Sequence, residues 1–395
     1  MTENIAIRQV EGQEMLDIMY VLDNYAFRPT PPFPNREEWE ERMQTRKGPV
    51  YYALFEGQDA VAIAACPTMI QNVRGKLFKM GGFADVSTHP KARRKGYSRQ
   101  LIQYAFEQLK NDGRVVSSLY PFRESFYERL GYATFPQSRK AIFETANLAP
   151  LLQQDLGGEV EMVLSGEGYD AYHAFVQQML PGVHGMAMFE DPQKESASSN
   201  RTWLVLVRNR DDLVGVMEYS TKGDEMMNYT LQVRRFYYKT SQGKYLLLAW
   251  LARHIDQATK AELWLPVYEQ PNTWFLDIRP KLEPIFVAPM GRVLDIAGIG
   301  GMAVGPGSFT AQITDPYCPW NNSTWKFEGV NGTLEVTPTS NAECSLSIQG
   351  LSALVYGVND PADFAIRGWG NPSSELISIM QAMFPPQLPY LHEYY

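Results

Sequence analysis

The chain has 395 residues and a formal net charge of -8, with 45% hydrophobic, 12% aromatic and 20% charged residues. About 150 residues make an ordinary domain, so this length calls for two or three, and the apolar content excludes a disordered chain. The acidic excess excludes a general nucleic-acid binder, because phosphate neutralisation needs clustered Lys and Arg; it suits a cationic substrate, although modest negative charge also simply keeps proteins soluble.

In chain order, Ile5 to Val10 reads as a strand and Gln13 to Phe27 as a helix. The run from Pro29 to Pro34 is too rich in proline for helix or central strand, so it is expected on the surface as one lip of a cleft. A helix around Trp39 follows, and then Tyr51 to Glu56, Ala60 to Ala65 and Lys76 to Val86 form an antiparallel meander.

The stretch from Gly81 to Leu109 carries the most chemistry. Phe83 to Val86 has strand composition, Arg93-Arg94-Lys95-Gly96 is a basic turn, and Leu101, Ile102, Ala105, Phe106 and Leu109 recur at helical spacing. The first N–H groups of a helix have no partner within it and carry the positive end of its dipole, so this junction is built for a pyrophosphate. Arg, Lys and Gly at a helix start also suit a merely solvated turn. What favours the phosphate is the sequel: a strand from Val115 to Tyr120, then Phe126-Tyr127 and Gly131-Tyr132.

A second block, from about Glu159 to Leu294, broadly repeats the order. Val160 to Leu164, a helix from Tyr169 to Leu180, strands at Trp203 to Arg208, Val214 to Ser220 and Met227 to Arg234, and a helix from Gly243 to Ile255 follow one another. Its strand-to-helix junction is Tyr237-Tyr238-Lys239-Thr240-Ser241-Gln242-Gly243, with no Arg-x-x-Gly. The remainder reads as a strongly β module: strands at Ser308 to Ile313, Ser323 to Glu328, Gly332 to Thr337 and Ala342 to Ile348, then a helical segment from Leu351 to Tyr356.

Arg93 to Ser98 and Phe126 to Tyr132 together resemble the GNAT superfamily of N-acetyltransferases, whose acetyl-CoA turn is Arg/Gln-x-x-Gly-x-Gly/Ala and whose next helix often carries Phe-Tyr-x-x-x-Gly-Phe/Tyr. This chain departs at Ser98, where Gly or Ala is usual. The element Asp315-Pro316-Tyr317-Cys318-Pro319-Trp320 and its strands resemble the sterol-carrier-like domain that closes the enhanced intracellular survival (Eis) group. That resemblance implies a mixed α+β and α/β chain. Residues 1–150 would be a GNAT domain, 151–292 a second GNAT-like domain without an acetyl-CoA site, and 293–395 a sterol-carrier-protein-like domain. It implies an acetyl-CoA-dependent N-acetyltransferase acting on aminoglycoside, polyamine or lysine-like amines, and a homo-oligomer, hexameric in related proteins.

The resemblance also assigns the site. The backbone of Val86, Ser87 and Thr88 meets pantetheine and the acetyl oxygen; Arg93, Arg94, Lys95, Gly96, Tyr97, Ser98 and Arg99 hold the pyrophosphate; Phe122 and Arg123 complete the cofactor set. Tyr127 matches the family's general acid. A phenol with an ordinary pKa of about 10 is protonated at neutral pH and can protonate a thiolate of about 8.5. The base is the terminal carboxylate of Tyr395, ordinarily about 3.5 and intrinsically weak, acting through water or by orienting the amine. The tail Pro389-Tyr390-Leu391-His392-Glu393-Tyr394-Tyr395 is aromatic and apolar, as a docked end would be. Acceptor contacts are expected from Asp23, Phe27, Phe33, Trp39, Phe83 and Glu393, since aromatic walls and carboxylates suit amines. Packing is the alternative role for most of these aromatics, and the lesser alternative for Tyr127. A different class stays open: a non-catalytic protein holding an apolar ligand or acyl-CoA through its C-terminal domain.

Cys66, Cys318 and Cys344 are an odd number at wide spacings, which points to a reduced compartment and to neither a disulfide framework nor a zinc site. The five histidines are equally scattered, so no metal is expected. No run of about 18 apolar residues and no apolar leader behind Met1 is present, so the expectation is a cytoplasmic protein that does not enter a membrane.

Overall fold

A computed structural model describes residues 5–28, 30–199, 202–223 and 227–395; Pro29, the first residue of the expected lip, lies outside them. The chain makes two compact units. One comprises Met1–Pro136, Leu180–Asp191 and Pro289–Tyr395, the other Gln137–Met179 and Pro192–Ala288.

The first unit begins with β1 (Ile5–Val10), α1 (Gly12–Phe27), α2 (Arg36–Gln44), β2 (Val50–Glu56), β3 (Asp59–Cys66), β4 (Thr68–Val73), β5 (Lys76–Thr88), α3 (Tyr97–Asn111), β6 (Val116–Leu119), α4 (Glu124–Glu128) and β7 (Ala133–Thr134). These build a 9-stranded sheet in the order β1-β2-β3-β5-β6, then the strand Met290–Val293, then β7. Off that path, β4 joins β5 to the strand Ala187–Phe189. All pairs are antiparallel except β5 with β6, which are parallel and linked through α3.

Alternation along the strands divides the interior into two layers. In β2, Tyr52 and Leu54 face the cluster formed with Leu101, Ile102, Ala105 and Phe106 of α3. Tyr51, Ala53 and Phe55 of the same strand face the cluster formed with Leu16, Met19 and Leu22 of α1. Ala64 and Cys66 of β3 join the α3 layer, and Ile63 and Ala65 join the α1 layer. Both faces of the sheet are covered, which is why these strands read as near-continuous apolar runs.

The C-terminal part of this unit is a 4-stranded sheet in the order Thr333–Pro338, Thr324–Val330, Gly307–Thr314, Cys344–Ser347. Helix Ile348–Tyr356 carries it onto the first sheet, and one continuous cluster holds Phe309, Phe327, Leu354 and Tyr356 with Val73, Met80 and Val116. Arg74, 2% exposed, donates to the carbonyls of Leu354 and Val355 at the end of that helix, where the dipole favours a cation.

The second unit has a 7-stranded sheet: Lys281–Pro284, Arg139–Glu144, Ala258–Leu265, Tyr229–Tyr238, Asp212–Lys222, Trp203–Asn209, Glu159–Leu164. Tyr229–Tyr238 runs parallel to Ala258–Leu265 with helix Ser241–Ala252 between them, the same strand-helix-strand unit as β5, α3 and β6. The chain is a mixed α/β protein with tandem GNAT-like folds and a sterol-carrier-like end.

Candidate active site

Pairing between β5 and β6 stops at Phe83 opposite Leu119, while β5 runs on to Thr88. On its other edge β5 stays with β3, through Ala84 opposite Ala65, Ser87 opposite Ile63 and Thr88 opposite Ala62. The register slips between these contacts, and Asp85 adopts a left-handed φ of 50°. The two central strands therefore splay, and the backbone of Ala84 to Thr88, including Val86, has no strand beside it on the β6 side among the described residues.

The turn after β5 is set by two left-handed residues, Arg94 at φ 67° and Gly96 at φ 83°. Gly suits the second position because a β-carbon there would be strained and would sit 3.2 Å from Arg99 Nη2. Arg93 Nε donates to the Thr88 carbonyl at 3.2 Å, and the hydroxyls of Thr88 and Ser98 are 2.8 Å apart. That bond gives Ser98 a structural role that Gly or Ala cannot fill. No side chain caps α3, so its first N–H groups stay available to a ligand. A cavity of about 220 Å³ opens here, walled by Thr88, Arg93, Arg94, Gly96, Ser98 and Arg99 on one side. Phe126, Arg129, Leu130 and Tyr317 close the other side. Arg94, Arg99 and Arg129 make no ion pair among the described residues. Lys95 is different: its ammonium is 2.5 Å from Glu56 Oε1 and lies over the Tyr97 ring, and it is not among the residues that line the cavity.

Tyr127, on α4, is 4% exposed and meets Phe122, Phe126 and Tyr132 edge-on at 5.8, 5.0 and 6.0 Å between ring centroids. Its hydroxyl has no hydrogen bond among the described residues, and burial pushes its pKa up, so the phenol is neutral at all ordinary pH. Beneath it, Ser117 Oγ donates to the Gly81 carbonyl at 2.6 Å, which leaves the Tyr132 hydroxyl as donor to Ser117 at 2.7 Å. Phe122 is 70% exposed, and Arg123 is exposed beside it at the start of α4.

The C-terminal tail is docked. Tyr390 N donates to the His184 carbonyl, Tyr120 Oη donates to the Leu391 carbonyl, both at 2.8 Å, and Tyr394 stacks on Tyr120 at 4.4 Å. The Tyr395 ring lies edge-on to Tyr120 and Phe189, and a β-carbon on Gly82 would be 2.7 Å from its Cε2. A β-carbon on the preceding Gly81 would instead strike Leu109 of α3, also at 2.7 Å. Neighbouring residues of a strand face opposite sides. Tyr127 packs in the α3 layer, and Tyr395 against the α1 layer and the cluster of the C-terminal sheet, so the two tyrosines lie on opposite faces of the first sheet.

The expected acceptor residues divide. Asp23, on α1, keeps Oδ1 buried with no hydrogen bond among the described residues, and burial together with the neighbouring Asp85 charge raises its pKa to about 7. Asp85 is itself paired with Arg46 at 2.9 Å. Phe27 is 58% exposed, and Phe33 packs edge-on against Tyr20 at 5.9 Å. Glu393 Oε1 lies 3.4 Å from His392 Nε2. Trp39 and Phe83 are core residues, at 2% and 3% exposure, and their rings are not offered to a ligand. The site residues named from the sequence did not include Arg46, Asp85, Phe126, Arg129 or Tyr317, although Asp85 stands in the strand before the turn, Phe126 and Arg129 in the Phe126 to Tyr132 run and Tyr317 in the Asp315 to Trp320 element.

All three cysteines are buried, and burial raises each thiol, Cys318 to about 12 and Cys344 to about 11. Among the described residues no group of His, Cys, Asp and Glu is arranged to hold a metal, and no helix is long and apolar enough to cross a membrane.

Residues 6–135 match the acetyltransferase (GNAT) domain family, and residues 301–392 match the sterol carrier protein domain family. An uncharacterized N-acetyltransferase of Streptomyces coelicolor is 22% identical over 316 residues, spanning 72% of each chain. A GCN5-related N-acetyltransferase from Anabaena variabilis superposes with a TM-score of 0.85 at 17% identity, covering 99% of this chain and all of that one. Eis1 from Mycobacterium abscessus gives 0.78 at 17% identity, with coverage of 99% and 100%.

Proposed function

We propose that this chain, an N-acetyltransferase by enzyme class with a GNAT domain at one end and a sterol carrier protein domain at the other, moves acetyl from acetyl-CoA directly to a primary amine of the aminoglycoside, polyamine or lysine kind. The single observation that carries this reading is the pair of tyrosines flanking the splayed strands from opposite faces, Tyr127 on one and Tyr395 on the other.

In this mechanism the uncapped start of α3, with Arg94 and Arg99, holds the pyrophosphate, and the pantetheine arm takes the place of the missing strand beside Val86. The acetyl carbonyl lies at the splay, where backbone N–H groups of the bulged segment polarise it. The amine arrives as ammonium and gives up a proton to the Tyr395 carboxylate, directly or through water. Its nitrogen then forms the C–N bond, the C–S bond breaks as the proton on Tyr127 Oη passes to the departing sulfur, and the second proton of the nitrogen passes through water to the Tyr127 oxygen, leaving a neutral amide, a free thiol and a restored phenol while Tyr395 returns its proton to solvent. Burial makes Tyr127 a weaker acid, but the same dry surroundings raise the thiol, so the two remain closer than their separate values imply. Asp23, with its free oxygen on the α1 side, is placed to receive a second ammonium of a polyamine or aminoglycoside.

The second GNAT-like fold is part of the proposal as a unit without an acetyl-CoA site. Thr240 caps the start of its helix by accepting from Gly243 N at 3.0 Å, and a β-carbon on Gly243 would sit 2.4 Å from the Val214 carbonyl. That helix end is capped by a side chain and pressed against a strand. Assembly into a homo-oligomer, hexameric by resemblance to Eis, belongs to the same proposal and is read by light scattering.

Release of free CoA thiol from acetyl-CoA tests the central reading, with purified protein and a panel of polyamines, aminoglycosides and lysine peptides. The expected result is release that depends on one amine class. Bound acetyl-CoA with no amine-dependent release from any of them would overturn it.

A further inference from the structure

The geometry points to Tyr317, which belongs to the sterol-carrier-like block, as the residue that receives the nucleotide half of CoA, so that the C-terminal domain completes the cofactor site of the N-terminal one. This rests on the reading that the cavity at the basic turn takes acetyl-CoA.

Tyr317 is far from the GNAT motifs in sequence, yet it shares one cavity with Arg93, Arg94, Ser98 and Arg99 of the turn and with Phe126 and Arg129 of the opposite wall. The loop that bears it is held rigidly. Asp315, fully buried, accepts from the backbone N–H of Tyr317 and of Cys318 at 3.2 Å each, and from Asn321 Nδ2 at 2.9 Å. Asp315 Oδ2 also accepts from Arg292 Nη2 at 2.6 Å, with both side chains wholly excluded from solvent. Arg292 in turn donates to the Leu130 carbonyl and lies 4.4 Å over the Phe106 ring. One guanidinium thus fixes the Tyr317 loop and the end of the Tyr127 helix together, and the two make a single wall of the cavity.

What that wall can recognise follows from what the rest of the site uses. The turn and helix start are taken by the pyrophosphate, and the thioester end must lie at the splay beside Tyr127. The portion left over is the phosphorylated nucleoside. Tyr317 is half-buried, and its hydroxyl has no hydrogen bond among the described residues. A tyrosine in that state offers a flat face to a purine and a donor to a ribose or phosphate oxygen, and the exposed Arg129 beside it makes no ion pair among the described residues. Stacking of a base on an aromatic side chain carries enough energy that its loss weakens binding about tenfold or more.

The test is calorimetric titration of CoA into the full-length protein and its Tyr317→Ala and Tyr317→Leu variants, with donor selectivity measured alongside. Leucine keeps the apolar volume and removes the ring, so the comparison survives if alanine disturbs the loop. The expected result is a CoA Kd raised about tenfold in both variants. The ratio of kcat/KM for acetyl-CoA to that for acetyl-pantetheine, which has no nucleotide, should fall by the same factor. An unchanged Kd in folded variants, or an equal loss with both donors, would overturn the assignment. Wild-type protein that binds no CoA would instead sink the acetyl-CoA reading itself.

Discussion

Replacing Gly82 by alanine should slow acetyl transfer without unfolding the protein. The added β-carbon would sit 2.7 Å from Tyr395 Cε2, 3.2 Å from its Cζ and 3.4 Å from Pro67 Cβ. Ordinary carbon contacts are about 3.5–4.0 Å, so the terminal ring must retreat by about 1 Å. Tyr120 and Phe189 lie edge-on against the ring, at 6.0 and 6.3 Å between centroids, and narrow the directions it can take. Overpacking of this kind costs about 1–3 kcal/mol, taken first from docking of the tail. A 1 Å displacement of a reacting group costs on the order of a hundredfold in rate. The assay is kcat at saturating amine and acetyl-CoA, beside the thermal midpoint and CoA affinity, for Gly82→Ala, for deletion of Tyr395, and for both together. If Gly82 acts only by placing the terminal residue, the double change is no slower than the deletion alone. Normal turnover in Gly82→Ala, or losses that multiply in the double variant, would refute the reasoning that the last residue works at the splay.

Three further outcomes follow from the same geometry. Tyr127→Phe should keep acetyl-CoA affinity and lower kcat by about a hundredfold or more, the usual contribution of a general acid; full activity would make Tyr127 a packing residue. Asp23, raised from 3.8 to about 7, binds its proton more tightly in the folded state than in the unfolded one. The stability it contributes is therefore complete below about pH 4 and is lost as the pH climbs through about 7, an effect of up to about 4 kcal/mol. Asp23→Asn should consequently gain on the wild type across that window, read as the difference in unfolding midpoint at pH 4 and pH 8, and a difference that does not grow with pH would contradict the buried, unpaired carboxyl. Arg94→Ala should weaken CoA binding about tenfold, because a charge-assisted contact to phosphate is lost. Lys95→Ala should cost less than about threefold, since its ammonium is committed to Glu56; equal losses in calorimetry would show that Lys95 turns to the ligand.

What the sequence disclosed and what it hid separate along one physical line: local periodicity reports that a residue is buried, and not what it is buried against. The five apolar positions of α3 are all in the core, and the alternation in β2 and β3 sorted their side chains into two layers. The basic turn was legible because Gly96 and the strand before it leave few other conformations. Trp39 was legible as an aromatic, and the structure buries it in the core. Its helix, REEWEERMQ, is charged or polar except for Trp39 and Met43, four residues apart on one face, and such a helix can dock only through that pair, which is where both are buried. Long-range pairing left no comparable trace. Nothing in Met290–Val293 says that it will lie between β6 and β7, and nothing in Lys95 says that Glu56 will reach it before a phosphate does. The element Asp315 to Trp320 was conspicuous, but its purpose was hidden in a partner: the buried carboxylate needs the Arg292 guanidinium, and that same guanidinium holds the Leu130 carbonyl beside the helix of Tyr127. A short turn that opens on Asp315 and holds two prolines, far down the chain, thus answers to an arginine that reaches into the first domain, and the aromatic it carries arrives at a cavity whose other walls the first domain had already built.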